Sequence, residues 1–128
     1  MRISPNNIEK IFADEIFVFG SNESGIHGAG AARTALKWGA QIGIPEGIQG
    51  NTYAIPTKDK TVRKTLSLKE IKIYVDRFLE FAKENTHLKF LVTEIGCGLA
   101  GYNPKDIAPL FDSAKSMNNV WLPERFWH

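Results

Sequence analysis

Short apolar runs alternate with amphipathic segments along the chain, and this alternation predicts an α/β fold. Residues 15–19, 52–56, 89–93 and 120–122 are apolar and rich in β-branched or aromatic side chains, as strands typically are. The second run ends at Pro56, because a proline inside a central strand would lose a hydrogen-bond donor. We therefore predict four strands, the first of them buried.

The segments between these runs have helical spacing. Residues 29–38 predict a helix with an alanine-rich apolar face, and Gly39 is a typical helix stop. Ser67 and Glu70 have the spacing of a capping box, which predicts a second helix starting there. Apolar residues follow at helical intervals, and the predicted helix ends near residues 84–85.

Three further segments are less regular. Asn103 followed by Pro104 predicts a third helix start, and Pro109 either kinks this helix or restarts it. Residues 59–66 are charged and predict a mobile loop. The first dozen residues are ambiguous, with a short amphipathic helix as one interpretation of Ile8, Ile11 and Phe12.

The glycines mark two special loops. The chain has 11 glycines, none of them between Gly50 and Gly96 or after Gly101. Alternating strands and helices imply a mainly parallel sheet, whose ligands bind beyond the carboxyl ends of the strands. Because the first and third strands both run into glycine-rich loops, we expect these two loops to meet at one edge of the sheet.

Composition and charge narrow the class of protein. A chain of 128 residues predicts a single domain, residues 1–128, and 43% hydrophobic content argues against disorder. The charge is nearly balanced, with sixteen Lys and Arg and fourteen Asp and Glu. This is a poor match for a protein that binds duplex nucleic acid mainly by neutralising its phosphates. The single Cys97 and three distant histidines indicate neither a disulfide nor a metal site. We expect a cytoplasmic protein with no membrane span and no cofactor.

Glycine-rich loops before helices are suited to anionic ligands. Their backbone N–H groups and the helix dipole favour a phosphate without requiring lysines. Arg33 stands where a dinucleotide fingerprint requires its third glycine, and the spacing of a P-loop is absent. Two facing loops favour a ligand with two linked phosphates, while the alternative is that the glycines only form tight turns.

The motifs around both loops resemble the macro domain family. Residues 92–99, 22–32 and 53–58 are similar to the second loop, the first loop and the following strand of its terminal ADP-ribose protein glycohydrolase branch. Small macro-like proteins of phages and bacteria are also similar, and the resemblance extends from Ile16 to Leu122. It implies a three-layer macro-like fold that binds ADP-ribose or a related ADP-ribosyl nucleotide, free or attached to a macromolecule.

The resemblance implies a set of binding residues and one catalytic residue. The ligand-binding residues are those of the two loops: Ser21, Asn22, Gly25, His27, Gly28, Ala29, Gly30, Ala31, Gly96, Cys97, Gly98, Leu99, Ala100, Gly101 and Tyr102. Lys58 matches the lysine nucleophile of the branch, which implies hydrolysis of ADP-ribosyl linkages as a second activity. Ala100 replaces the acid of that branch, which favours binding without turnover, and a nucleotide-sequestering or protein-interaction module is the alternative.

Several of these residues have a structural alternative. Asn22 either contacts a ribose or forms a turn, Ser21 favours a turn, and His27 lies near the ligand or in solvent. Cys97 is more typical of a packed side chain than of a nucleophile. For Tyr102 the resemblance implies an aromatic side chain that lines the distal ribose, and the alternative is that it has no contact with the ligand. The aromatic residues near the carboxyl terminus either stack on adenine or close the edge of the core: Trp121, Phe126 and Trp127.

Overall fold

A five-stranded mixed sheet forms the centre of the protein, as a computed structural model that describes residues 1–127 shows. The strands are β1 (Glu15–Asn22), β2 (Gly47–Gln49), β3 (Thr52–Lys58), β4 (Lys89–Val92) and β5 (Val120–Trp121), in the spatial order β2-β3-β1-β4-β5. All neighbouring pairs are parallel except β2 with β3. The predicted α/β class and mainly parallel sheet are confirmed, while β2 was not predicted.

The helices are shorter at both ends of the chain than in the middle. The α-helices are α1 (Gly30–Ala35), α2 (Leu68–Glu84) and α3 (Pro104–Ile107), and 3-10 helices span Leu36–Trp38, Ala108–Ser116 and Glu124–Phe126. The predicted capping box is present, because the Ser67 hydroxyl accepts a hydrogen bond from the Glu70 amide. Pro109 restarts the chain as a 3-10 helix.

Three predictions of local structure need correction. Residues 29–38 change from α-helix to 3-10 helix after Ala35, although Gly39 ends the segment with φ +110° as predicted. Pro56 lies inside β3, not at its end, and β2 pairs with β3 no further than Ala54, so the missing donor costs no bond to β2. The first dozen residues form no helix, and Ile3 instead pairs with Leu122.

Both faces of the sheet are covered, which explains the continuous apolar run of β1. Ile16 and Val18 belong to the larger core cluster, which contains the buried face of α2. Phe17 and Phe19 point to the opposite face and pack in a second cluster with Ala32 and Ala35 of α1. Successive strand residues point to opposite faces, so a strand with helices on both sides needs apolar residues throughout.

The aromatic residues near the carboxyl terminus close the core at the β5 edge. The Arg2 guanidinium carbon lies 6.0 Å from the ring centroid of Trp121 and 5.7 Å from that of Trp127. Phe126 is buried, with its ring centroid 5.5 Å from that of Phe111. The core-edge interpretation is therefore confirmed. Among the described helices, none is both long and apolar enough to cross a membrane.

Candidate functional site

A cavity of about 580 Å³ lies at the carboxyl ends of β1, β3 and β4. It is lined by residues of the first glycine loop (residues 21–31) and of the second glycine loop (residues 96–102), and by Thr57 and Lys58 at the end of β3. The expected convergence of the two loops at one sheet edge is confirmed. It follows from the topology, since β1 and β4 are parallel neighbours whose carboxyl ends point the same way.

Most of the predicted site residues line this cavity. Those of the first loop are Ser21, Asn22, Gly28, Ala29, Gly30 and Ala31. Lys58 joins them from β3, and the second loop adds Gly96, Cys97, Gly98, Leu99 and Ala100. Gly25, His27, Gly101 and Tyr102 are not among the lining residues, and neither are Trp121, Phe126 and Trp127.

The main chain of both loops presents hydrogen-bond donors without acceptors. In the hydrogen-bond network of residues 1–127, no acceptor is found for the amides of residues 28–32 or of Gly96, Gly98, Leu99 and Ala100. All of these residues line the cavity. The first amides of a helix have no partner within the helix, and amides that border one cavity without a protein acceptor are free to donate to an anion. The dipole of α1 adds little to this, because α1 has six residues.

The side chains of the first loop brace the loop itself. The Asn22 side-chain amide donates to the Ile26 carbonyl at 2.7 Å, and its oxygen accepts from the Ile26 amide at 3.0 Å and the Ser24 hydroxyl at 2.9 Å. The Ser21 hydroxyl donates to the Pro45 carbonyl at 2.5 Å. Asn22 thus takes the turn-forming role that was its structural alternative, whereas Ser21 does not cap its own turn but ties the end of β1 to Pro45.

His27 is buried on the face of the sheet that carries Phe19, and it is not a solvated loop residue. It is 2% exposed, and its ring centroid lies 5.3 Å from that of Phe19. Its Nε2 lies 3.0 Å from the Gln41 carbonyl oxygen, while Nδ1 has no hydrogen-bond partner within the described residues. Because a carbonyl only accepts, Nε2 carries the proton in this contact. Both sequence-based interpretations of His27 therefore missed its burial against the sheet.

The second loop is tied to the segment that follows β3. The Tyr102 hydroxyl donates to the Leu66 carbonyl at 2.8 Å, and the Thr65 hydroxyl donates to the Ala100 carbonyl at 2.8 Å. Gly96 has φ +78°, which favours glycine, and a Cβ there would also displace the end of the Ile107 side chain, which would lie 2.9 Å away. Tyr102 thus supports the loop from behind the cavity.

Residues 58–66 form a hairpin, which we call the basic hairpin. Lys58 pairs with Thr65 in an antiparallel bridge, and the Asp59 carboxylate accepts from the amide and the hydroxyl of Thr61. Its cationic side chains form no ion pair with any carboxylate of the described residues: Lys58, Lys60, Arg63 and Lys64. This hairpin places unpaired positive charge beside the cavity, since Lys58 and Val62 line it.

Two titratable side chains at the cavity are perturbed. Burial and the nearby Glu94 carboxylate raise the pKa of Cys97 to about 11, so the side chain is a neutral thiol. Glu94 lines the cavity and accepts two hydrogen bonds of 2.6 Å from Arg125, which lowers its pKa. Cys97 is therefore unsuited to nucleophilic chemistry, and Glu94 is a carboxylate held by a guanidinium.

Sequence reasoning missed eight residues of the lining: Gly20, Ile26, Ala32, Thr57, Val62, Thr93, Glu94 and Ile95. Most of them directly adjoin a predicted site residue, so the position of the strand ends was a signal that could have found them. Val62 had no such signal, because it reaches the cavity through the fold of the basic hairpin.

The described residues contain no cluster of three metal-ligating side chains. The comparisons with known proteins found no matching family model, no matching curated protein and no matching solved structure.

Proposed function

We propose that this chain is a three-layer macro-like domain that binds ADP-ribose or a related ADP-ribosyl nucleotide in the cavity between its two glycine loops. The observation that carries the proposal is the pair of loops whose unpaired amides line one cavity. A diphosphate offers oxygen acceptors to both loops at once, whereas a single carboxylate offers them to one.

The glycines that line the cavity support a closely approaching ligand. Gly28 and Gly98 have φ values outside the left-handed region, so the backbone does not require glycine at either position. A Cβ on Gly98 would have nothing within 4 Å, and one on Gly28 would meet just one atom, the Ile26 Cγ2 at 4.0 Å. Glycine at these positions leaves room for a ligand at the main chain.

The size and charge of the site agree with a nucleotide. A volume of about 580 Å³ is within the range of cavities that hold small molecules and cofactors. The unpaired cations of the basic hairpin attract an anionic ligand towards the cavity.

Calorimetric titration of the protein with ADP-ribose tests the proposal. We expect saturable heat at micromolar to millimolar ligand, and competition by ADP. The proposal fails if millimolar ADP-ribose gives no heat and no protection against thermal unfolding.

Hydrolysis of ADP-ribosyl linkages is the second candidate, and the position of Lys58 at the cavity favours it. The lysine amine would attack the anomeric carbon of the ribose and displace the linked group, and water would then release ADP-ribose. The test is release of ADP-ribose from ADP-ribosylated protein by the parent and by Lys58→Ala, with Lys60→Ala as the control outside the cavity lining. Loss of turnover in Lys58→Ala alone supports this candidate, and equal turnover in all three removes Lys58 from the mechanism. Tight binding with no turnover in the parent supports the sequestering or interaction module.

A further inference from the structure

Three aliphatic side chains, two exposed and one partly exposed, border the cavity, and each comes from a different loop. Leu99 of the second glycine loop is 73% exposed, and Ile26 of the first is 53% exposed. Val62 of the basic hairpin is partly exposed and also lines the cavity. We call these residues the aliphatic clamp. Large apolar side chains in water are unfavourable, and their grouping beside a cavity is typical of a surface that a ligand covers.

The backbone of Val62 is strained. Its φ is +64°, and among the described residues it is the one non-glycine residue with a positive φ. A β-branched residue is rarely found in this region, and such strain is concentrated at ligand clamps and active sites. The strain is held by the hairpin, since the Val62 amide donates to the Asp59 carbonyl at 3.0 Å. The fold therefore holds an apolar side chain at the cavity at a conformational cost.

The clamp and the unpaired amides border the same cavity, so one molecule in the cavity can contact both. Such a molecule has an anionic part for the amides and an apolar part for the aliphatic side chains. No aromatic side chain is found among the cavity-lining residues of the described chain, so the apolar part has aliphatic partners here. The faces of a nucleobase are flat and apolar, and apolar side chains pack well against them.

We propose that the aliphatic clamp packs against the nucleobase of the ligand and so makes the site selective for nucleotides over phosphates that lack a base. This inference rests on the proposed function, because the phosphates at the amides determine where the base lies. It assigns Ile26, Val62 and Leu99 to base recognition, a role that the two-loop argument leaves open.

The test compares ADP-ribose and inorganic pyrophosphate as probes of the intact protein. We expect Leu99→Ala and Ile26→Ala each to weaken ADP-ribose binding about tenfold, which corresponds to about 1.4 kcal/mol. Ile26→Ala should leave pyrophosphate binding unchanged, because the Ile26 amide is bonded to the Asn22 side chain and is not one of the unpaired donors. Ile42→Ala is the matched control, because Ile42 is 72% exposed but does not line the cavity. Val62→Gly removes both the side chain and the strain, so it should bind ADP-ribose more weakly while its Tm stays equal or rises.

The outcomes separate the two proposals. If the parent binds ADP-ribose and the clamp variants bind it equally well, the clamp inference is wrong and the proposed function stands. If the variants lose ADP-ribose and pyrophosphate to the same extent, the side chains shape the loops and do not contact a base, which also overturns the inference. If the parent binds neither probe, the proposed function is wrong, and the clamp inference, which rests on it, is wrong as well.

Discussion

Replacement of Gly98 by alanine should change the stability of the fold and the affinity for ligand in opposite directions. The residue lines the cavity, its φ lies outside the left-handed region, and an added Cβ would have no atom within 4 Å. Alanine restricts the unfolded chain more than glycine does, so Gly98→Ala should stabilise the protein by about 0.4–1 kcal/mol. The added methyl group occupies space beside an unpaired amide, so we expect ADP-ribose affinity to fall at least about tenfold.

The expected change in Tm follows from the size of the chain. For 128 residues the entropy of unfolding is about 0.27 kcal/mol/K, so the stabilisation raises Tm by about 1.5–4 °C. Differential scanning fluorimetry measures this shift, and calorimetric titration measures the affinity on the same sample.

Gly47→Ala is a control with the opposite result. Gly47 also has open space around its added Cβ, but its φ is +95° and it does not line the cavity. Strain should lower the free energy of unfolding by about 1–2 kcal/mol and Tm by about 4–7 °C, with ligand affinity unchanged. If Gly98→Ala binds ADP-ribose as tightly as the parent, no ligand lies at the second loop and the reasoning is refuted.

Three further predictions test the surroundings of the cavity. Because the pKa of Cys97 is about 11, its alkylation by iodoacetamide at about pH 8 should be more than about a hundredfold slower than in the unfolded chain, and equal rates by mass spectrometry would contradict the burial. Because Arg125 lowers the pKa of Glu94, the stability from this pair is present above the unfolded pKa of about 4.3 and is lost as pH falls through the lower folded pKa. Urea unfolding of the parent and Arg125→Gln should therefore differ at neutral pH and converge in acid; a gap that persists at low pH argues against the pairing. Tyr102→Phe loses the 2.8 Å hydrogen bond to the Leu66 carbonyl, so its free energy of unfolding should be about 1 kcal/mol lower than that of the parent. An unchanged urea midpoint would show that the bond contributes nothing.

The elements with strong local signals were predictable from the sequence. The capping box of Ser67 and Glu70 places the start of α2, and the apolar stripe continues to its end at Glu84. The convergence of the two glycine loops followed from topology alone, because adjacent parallel strands end at the same edge of a sheet.

Other features depend on tertiary contacts that local sequence does not reveal. β2 has three residues and takes its strand conformation from pairing with β3. His27 lies between glycines, a pattern that predicts an exposed loop. Its ring is nevertheless buried against Phe19 of β1, a contact that the neighbouring residues do not indicate. The positive φ of Val62 has no propensity signal, because it is imposed by the hydrogen bonds of the Asp59 turn.

The braces behind both glycine loops have a consequence for how a ligand enters. Asn22 holds the first loop, and the Tyr102 and Thr65 hydroxyl groups hold the second, all through hydrogen bonds within the protein itself. The two loops are thus ordered when the protein folds, so binding does not have to order them. Preorganisation of this kind lets more of the interaction free energy appear as affinity. A rigid receptor of this type encounters its ligand without a slow rearrangement, so differences in affinity among ligands should arise in their rates of departure.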